Sequence, residues 1–216
     1  MQLSTHALTL RFGPTTALSA LTTNFPEGSR TVVWGPAGGG KTSLLKCLAG
    51  LLRPTEGEVR WDDVSTSGLS AEARRAAQVD FGMVFQTDAL FDSLTVLDNV
   101  LLPLRNRRVP EAEASARAHE ALRRVGLSHA LDRRPEHLSG GMKKRCGVAR
   151  AIVARPHVLL ADDPFSGLDP QTERSIAELL LEVSEGRTLV VALPDPVDAL
   201  PVTRTVRLVD GAEARG

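Results

Sequence analysis

Eight consecutive residues, Gly35 to Thr42 (GPAGGGKT), restrict this chain more than any other feature, because they fit the pattern GxxxxGK[ST] in the setting where such a loop works. Thr31 to Trp34 before them is a β-branched apolar run that reads as a strand, and Lys41 to Leu52 reads as a helix closed by Gly50 and Pro54. Glycines let successive backbone N–H groups turn inward, and the helix N-terminus adds a favourable dipole, so the segment forms a cradle for phosphate oxygens. Gly35, Pro36, Gly38, Gly39, Gly40 and Ser43 build that cradle, Lys41 reaches the β and γ phosphates, and the Thr42 hydroxyl is placed to hold Mg²⁺. A chance glycine-rich turn has no reason to carry both flanking elements, so the expectation is a bound nucleotide.

The remaining sequence supplies the sheet that such a loop needs. Alternation in Leu3 to Leu10 (LSTHALTL), followed by a Phe12-Gly13-Pro14 turn, predicts a small N-terminal β region. Glu58 to Trp61 resumes extended structure, a polar Ala/Arg-rich segment follows from Ser70 to Gln78, and Val79 to Gln86 (VDFGMVFQ) reads as a buried strand. Val96 to Gly126 is dominated by helix formers that Pro103 and Pro110 are expected to break, which makes the middle of the chain a helical lobe. Val158 to Ala161 and Thr188 to Leu193 are apolar runs separated by the helix-forming stretch Gln171 to Glu185, the pattern of a parallel βαβ sheet. Val158 to Asp162 (VLLAD) ends in a carboxylate, which brings Asp162 to the carboxyl edge of that sheet, where it can bind Mg²⁺ through a water. Alone, that run is equally well a buried strand capped by an acidic turn; with the glycine loop it specifies a P-loop NTPase.

Composition excludes several classes. Lys plus Arg and Asp plus Glu each number 26 in 216 residues, so neither net charge nor a basic tail argues for nucleic acid. Cys47 and Cys146 lie far apart without a CxxC pair or neighbouring histidines, and both read as reduced core thiols rather than a zinc or redox site. Met1 to Leu10 lacks a basic region followed by an apolar run, so no signal peptide is expected. The apolar runs are far shorter than the ~20 residues that cross a bilayer, so any membrane role is expected to run through a partner.

Leu138-Ser139-Gly140-Gly141-Met142 ahead of the basic Lys143, Lys144 and Arg145 resembles the signature motif of the ATP-binding cassette (ABC) family. Locally it is also an ordinary N-cap serine before a helix. The ordered set decides: Gln86 stands where the family has its Q-loop residue, Ser166 to Asp169 where it has the D-loop, and Phe12 where an adenine-stacking aromatic sits, so the resemblance spans about Leu3 to Ala212. It implies an α/β P-loop fold with an N-terminal antiparallel β portion and an inserted helical subdomain, in one domain of residues 1–216. The nucleotide-binding core would comprise 1–86 and 156–216 and the helical subdomain 87–155. It also implies ATP and Mg²⁺, the metal held by Thr42, Gln86 and Asp162, with Lys41, Gln86 and Asp163 as the catalytic set. Two subunits, self or another ABC ATPase, would dimerise head to tail, so that Ser139, Gly140 and Gly141 contact the γ-phosphate held by the opposite subunit. The family works with an integral membrane permease, expected here to dock near Leu90 to Val100, and sits peripherally on the cytoplasmic face of the inner membrane. A soluble ABC factor of translation or DNA repair is disfavoured by the absence of a tandem cassette, coiled coil or basic arm.

Two positions depart from the family pattern. Asp163 stands where the family has a catalytic Glu, and one methylene less withdraws the carboxylate from its water by over an ångström. Leu193-Pro194-Asp195 stands where a switch His is usual, and proline brings neither a side-chain donor nor an N–H. Slow hydrolysis is expected, or else an ATP-binding half of a heterodimer. The segment Phe85 to Val100 (FQTDALFDSLTVLDNV), together with Met142, resembles the phospholipid-trafficking ATPases of the Mla/Mce-associated type, which implies lipid transport; other importers and lipoprotein-release ATPases are the alternatives.

Overall fold

A computed structural model of the chain describes residues 1–87, 89–196 and 200–214. Asp88, within the segment that carries the lipid-trafficking resemblance, lies outside them. Among the described residues ten strands are formed: β1 (Leu3–Phe12), β2 (Thr15–Phe25), β3 (Arg30–Trp34), β4 (Glu56–Trp61), β5 (Val64–Ser65), β6 (Phe81–Val84), β7 (Val158–Asp162), β8 (Thr188–Leu193), β9 (Arg204–Val209) and β10 (Ala212–Glu213). Six α-helices accompany them: α1 (Lys41–Leu48), α2 (Ala71–Ala77), α3 (Val96–Asn106), α4 (Glu111–Arg124), α5 (Gly140–Ile152) and α6 (Pro170–Val183). One sheet is antiparallel with the order β2-β1-β4-β5, and the other runs β10-β9-β3-β8-β7-β6, parallel except for β10. This is the α/β arrangement that the glycine loop and the resemblance implied.

Strand periodicity divides the interior in two. Along β7, Leu159 and Ala161 enter one buried cluster while Val158 and Leu160 enter another, and along β8 Leu189, Val191 and Leu193 part in the same way from Val190 and Ala192. Successive side chains point to opposite faces, and a sheet buried on both sides needs apolar residues at every position. One face is covered by α3 to α6, and the other by α1 with the inner face of the antiparallel sheet, including Leu8, Leu21, Phe25 and Trp61. α4 contributes the stripe Ala114, Ala118, Ala121 and Leu122, whose spacing puts four side chains on one helical face. Both cysteines are free and buried, and burial pushes the Cys47 thiol up to about 12.

Three sequence expectations need correction. Pro103 does not break α3, which runs through it to Asn106, whereas Pro110 does precede the start of α4. A proline in a helix interior costs about 3 kcal/mol, and burying side chains of the size of Val100, Leu101 and Leu104 returns roughly 1.5–3 kcal/mol each, so packing prevails. The strand expected from Val79 to Gln86 is only Phe81–Val84, and Val79 is 41 % exposed. Among the described residues β6 is an edge strand paired to β7 from Phe81 to Val84, and beyond Val84 the chain makes no further ladder pair and leaves the sheet as a loop. Finally, α1 stops at Leu48, short of Leu52. Gly50 at φ 68° turns the chain there, with the Leu51 N–H donating to the Lys46 carbonyl at 2.8 Å.

Helices α3 to α5 share one continuous core with the sheet and α6, so they should not melt separately. Replacing the fully buried Leu104 with alanine is expected to cost ~2–5 kcal/mol and to lower the midpoint of a single urea transition. An earlier separate helical transition in the variant would show that the lobe has a core of its own.

Candidate functional site

The loop after β3 is held by contacts that leave no room for side chains. Gly35 has φ 147°, and a Cβ there would lie 2.0 Å from the Leu208 carbonyl oxygen of β9. Gly40 has φ 96°, and its Cβ would lie 2.4 Å from the carbonyl of Ala17 in β2. Any larger residue at either position forces the backbone away. The Gly35 N–H donates to the Pro194 carbonyl at 3.2 Å, and the Gly211 N–H donates to the Gly39 carbonyl at 3.3 Å, so the loop is fastened to the ends of β8, β9 and β2 together.

A cleft of about 300 Å³ opens at this edge, lined by Gly38 to Ser43, Gln86, Asp162, Asp163 and Pro194, with Ala17 and Ala37. Lys41 arches over its own loop, with Nζ donating to the carbonyls of Gly35 at 2.5 Å and Pro36 at 2.8 Å. Burial lowers its pKa, opposed by the nearby charges of Asp163, Asp162 and Asp195. The Thr42 hydroxyl donates to Asp162 Oδ1 at 3.0 Å across the space between α1 and β7. Asp162 is 5 % exposed, and its pKa is raised by burial, which outweighs the Thr42 hydrogen bond. A buried carboxylate beside a hydroxyl is a hard oxygen pair suited to a divalent cation. Among the described residues no three His, Cys, Asp or Glu side chains gather to hold a metal alone. The pair therefore suits a cation that brings phosphate and water oxygens with it, as Mg²⁺ does.

Asp163 lies beyond the last strand residue in the left-handed region, at φ 43°, where aspartate is tolerated better than most residues. Its N–H donates to the Ala192 carbonyl at 2.9 Å, and its Oδ2 accepts from Gln86 Nε2 at 3.2 Å. Opposite, Pro194 offers the cleft a ring and a carbonyl already engaged with Gly35. Among the described residues no histidine lines the cleft.

Other expected site residues lie apart from it. Phe12, at the end of β1, is 51 % exposed and does not line the cleft. Gly35 and Pro36 do not line it, and their carbonyls accept from Lys41. Ser139 caps α5, its hydroxyl accepting from the Met142 N–H at 3.3 Å, and Gly140 and Gly141 form the first turn; none of the three lines this cleft. Gly141 packs so closely on Thr172 that a Cβ would lie 2.8 Å from its methyl. Between Gln86 and α3 the chain is organised by the fully buried Asn99, whose amide accepts from the Phe91 N–H at 2.8 Å and donates to the carbonyls of Phe91, Leu94 and Thr95, leaving Phe91 itself 52 % exposed. Two contributors to the site escaped the sequence reading. Ala17 is a small residue on a distant strand with no local signal, and Asp195, which acts on Lys41, was legible only as the neighbour of a missing histidine.

Residues 18–166 match the family described as ABC transporter. The methionine import ATP-binding protein MetN of Rhizobium etli is 41 % identical over 183 residues, covering 85 % of this chain and 51 % of that protein. The chain thus spans about half the length of the curated relatives it matches. A dimeric post-hydrolysis structure of the ATP-binding cassette MJ0796 bound to ADP and Pi superposes with a TM-score of 0.89 at 32 % identity, over 99 % of this chain and 97 % of that one. CbiO1 from Clostridium perfringens, part of the ABC transporter complex cbiONQ, gives 0.87 at 30 % identity over 99 % and 86 %. These relatives are importer and cassette proteins rather than Mla/Mce lipid ATPases, so the segment from Phe85 to Val100 does not by itself place the chain in that branch. With the phosphate loop, the Asp162 strand and the LSGG helix in their expected order, the chain belongs to the ABC transporter family.

Proposed function

We propose that this chain is the ATP-binding and ATP-hydrolysing subunit of an ABC importer. The observation that carries this reading is the cleft in which Lys41, Thr42, Gln86, Asp162 and Asp163 meet, with Thr42 and Asp162 in direct contact at 3.0 Å. Loop N–H groups and Lys41 bind the phosphates of ATP, and Phe12 at the rim offers its exposed face to the base. Thr42, Asp162 and Gln86 would hold Mg²⁺, which would supply positive charge beside the phosphates. Asp163 receives the proton of the attacking water, and Gln86, bonded to it, orients both. The Ser139 to Gly141 helix start, with Ser139 and Gly140 exposed and all three away from their own cleft, serves the ATP of a second subunit, in keeping with the dimeric form of MJ0796. The importer reading draws support from the MetN relatives. Phospholipid transport remains a second reading, favoured by the run from Ala89 to Val96 and by Met142.

Lys41→Ala should remove nucleotide binding by calorimetry, because both the ammonium and its hold on the loop are lost. Undiminished affinity would place the nucleotide elsewhere.

Binding and chemistry should come apart at this site. The phosphate loop is complete, whereas Asp163 is short by one methylene and Pro194 supplies no donor, and both act on charge that develops only during transfer. Asp163→Glu combined with Pro194→His is expected to raise single-turnover hydrolysis by on the order of tenfold or more while leaving ATP affinity within about twofold. Brisk wild-type hydrolysis that the double variant fails to improve would mean that another group activates the water.

Coupling to transport should run through a membrane permease seated against the exposed Phe91. Phe91→Glu is expected to release the subunit from membranes containing its permease without changing ATP binding, as read by sedimentation. Full retention would move the docking surface off the segment from Leu90 to Val100.

A further inference from the structure

A second cleft, of about 730 Å³, lies where β2 and the edge of the parallel sheet come together, a volume that admits a small organic ligand. Among the described residues it shares no lining residue with the nucleotide cleft. Trp34 and Arg207 line it from β3 and β9, Ser19 from β2 and Glu213 from β10. Trp34 and Arg207 are register partners in the β3–β9 ladder, and Arg207 Cζ stands 5.1 Å from the centroid of the Trp34 ring. A guanidinium held over an aromatic face is restrained, yet its in-plane N–H groups remain available to an anion. Here they are available: among the described residues Arg207 makes no hydrogen bond or ion pair, and the indole N–H of Trp34 reaches solvent without a partner.

The charges of the cleft narrow the ligand. Among its described lining residues Arg207 is the one cation, and Glu213, 3.9 Å from Arg204, adds a negative charge. That balance suits a singly charged anion, because like charges brought together oppose a multiply charged phosphate. A planar carboxylate matches the guanidinium fork with two parallel hydrogen bonds, and the indole with Ala212 and Ala214 gives the rest of such a molecule an apolar wall. Trp34 and Arg207 also immediately precede Gly35 and Leu208, whose close approach holds the phosphate loop against β9.

We infer that this cleft is a second ligand site, for a small organic carboxylate, and that its occupant braces β3 against β9 and so tightens nucleotide binding. The second half rests on the reading of the phosphate loop as the ATP site. With Trp34 and Arg207 held by the ligand, less ordering of the adjoining loop is left for the phosphates to impose, and by reciprocity ATP strengthens the carboxylate by the same factor.

The test is calorimetry on the full chain with sodium cyclohexanecarboxylate, its neutral amide, and sodium sulfate at equal ionic strength. The carboxylate is expected to give saturable binding, the amide binding weaker by about tenfold or more, and sulfate none. Arg207→Gln, at an exposed position, should weaken the carboxylate by about tenfold or more and leave ATP affinity in its absence unchanged. If that variant does not fold, Thr205→Glu, which puts a negative charge at an exposed lining position, takes its place with the same expected loss. Saturating carboxylate should tighten ATP by about fivefold in the wild type and not in Arg207→Gln. No saturable binding, equal binding of the amide or of sulfate, or undiminished binding in the variant overturns the site. Carboxylate binding that depends on Arg207 but leaves ATP affinity unmoved overturns the bracing. Failure of ATP to bind without the carboxylate would fault the ATP cleft instead, while the carboxylate titration still decides the second site.

Discussion

The approach of Gly35 to the Leu208 carbonyl is the constraint on which the rest of the site depends. With no side chain at Gly35 the loop lies directly on the end of β9, and with none at Gly40 it also meets β2 at Ala17, so one short turn is the junction of the two sheets. The loop is thereby fixed at the edge of the cleft, and α1 begins at a fixed point. That fixed point sets Thr42 opposite Asp162, which arrives on a strand two places away in the sheet order. A buried carboxylate with a raised pKa is unfavourable for folding when ionised, and its natural compensation is a cation. The strain and desolvation gathered at this edge are those of a site prepared for a charged ligand.

Around the junction, the double-sided burial of β7 and β8 separates two kinds of duty. The cluster under α1 and the antiparallel sheet anchors the phosphate loop, while the cluster under α3 to α6 positions Gln86 and the LSGG helix. Gln86 stands between them, bonded to Asp163 on the sheet and through its backbone to Lys144 on α5. The loop that follows is built on Asn99, whose four hydrogen bonds keep Phe91 outward without apolar support of its own.

The two departures from the family pattern have different structural standing. Asp163 keeps the bond to Gln86 that a longer carboxylate would also make, so the change is one of reach. Pro194 is a change of kind, because the residue offers only a carbonyl and that carbonyl is committed to Gly35. Ground-state binding of phosphate uses neither. Asp195 adds a third carboxylate near Lys41 and partly offsets the burial that lowers the lysine's pKa, which favours the charged form that phosphate requires.

By itself the sequence determined the phosphate loop, the Asp162 strand, the unbroken apolar runs that make a doubly covered parallel sheet, and the order of motifs that marks the family. These are local patterns in which periodicity and residue type state the geometry directly. What only the tertiary structure decided has long-range causes. Pro103 stays inside α3 because buried neighbours outweigh a local penalty, and β6 ends at Val84, where the chain leaves β7, its ladder partner. Ala17 lines the cleft because β2 happens to pass it, and Lys144, which reads as one of three basic residues in a row, is buried because the Gln86 loop folds over it. A charge run in a sequence carries no mark of which member will face solvent. That depends on residues 58 positions away, and only the folded chain brings them together.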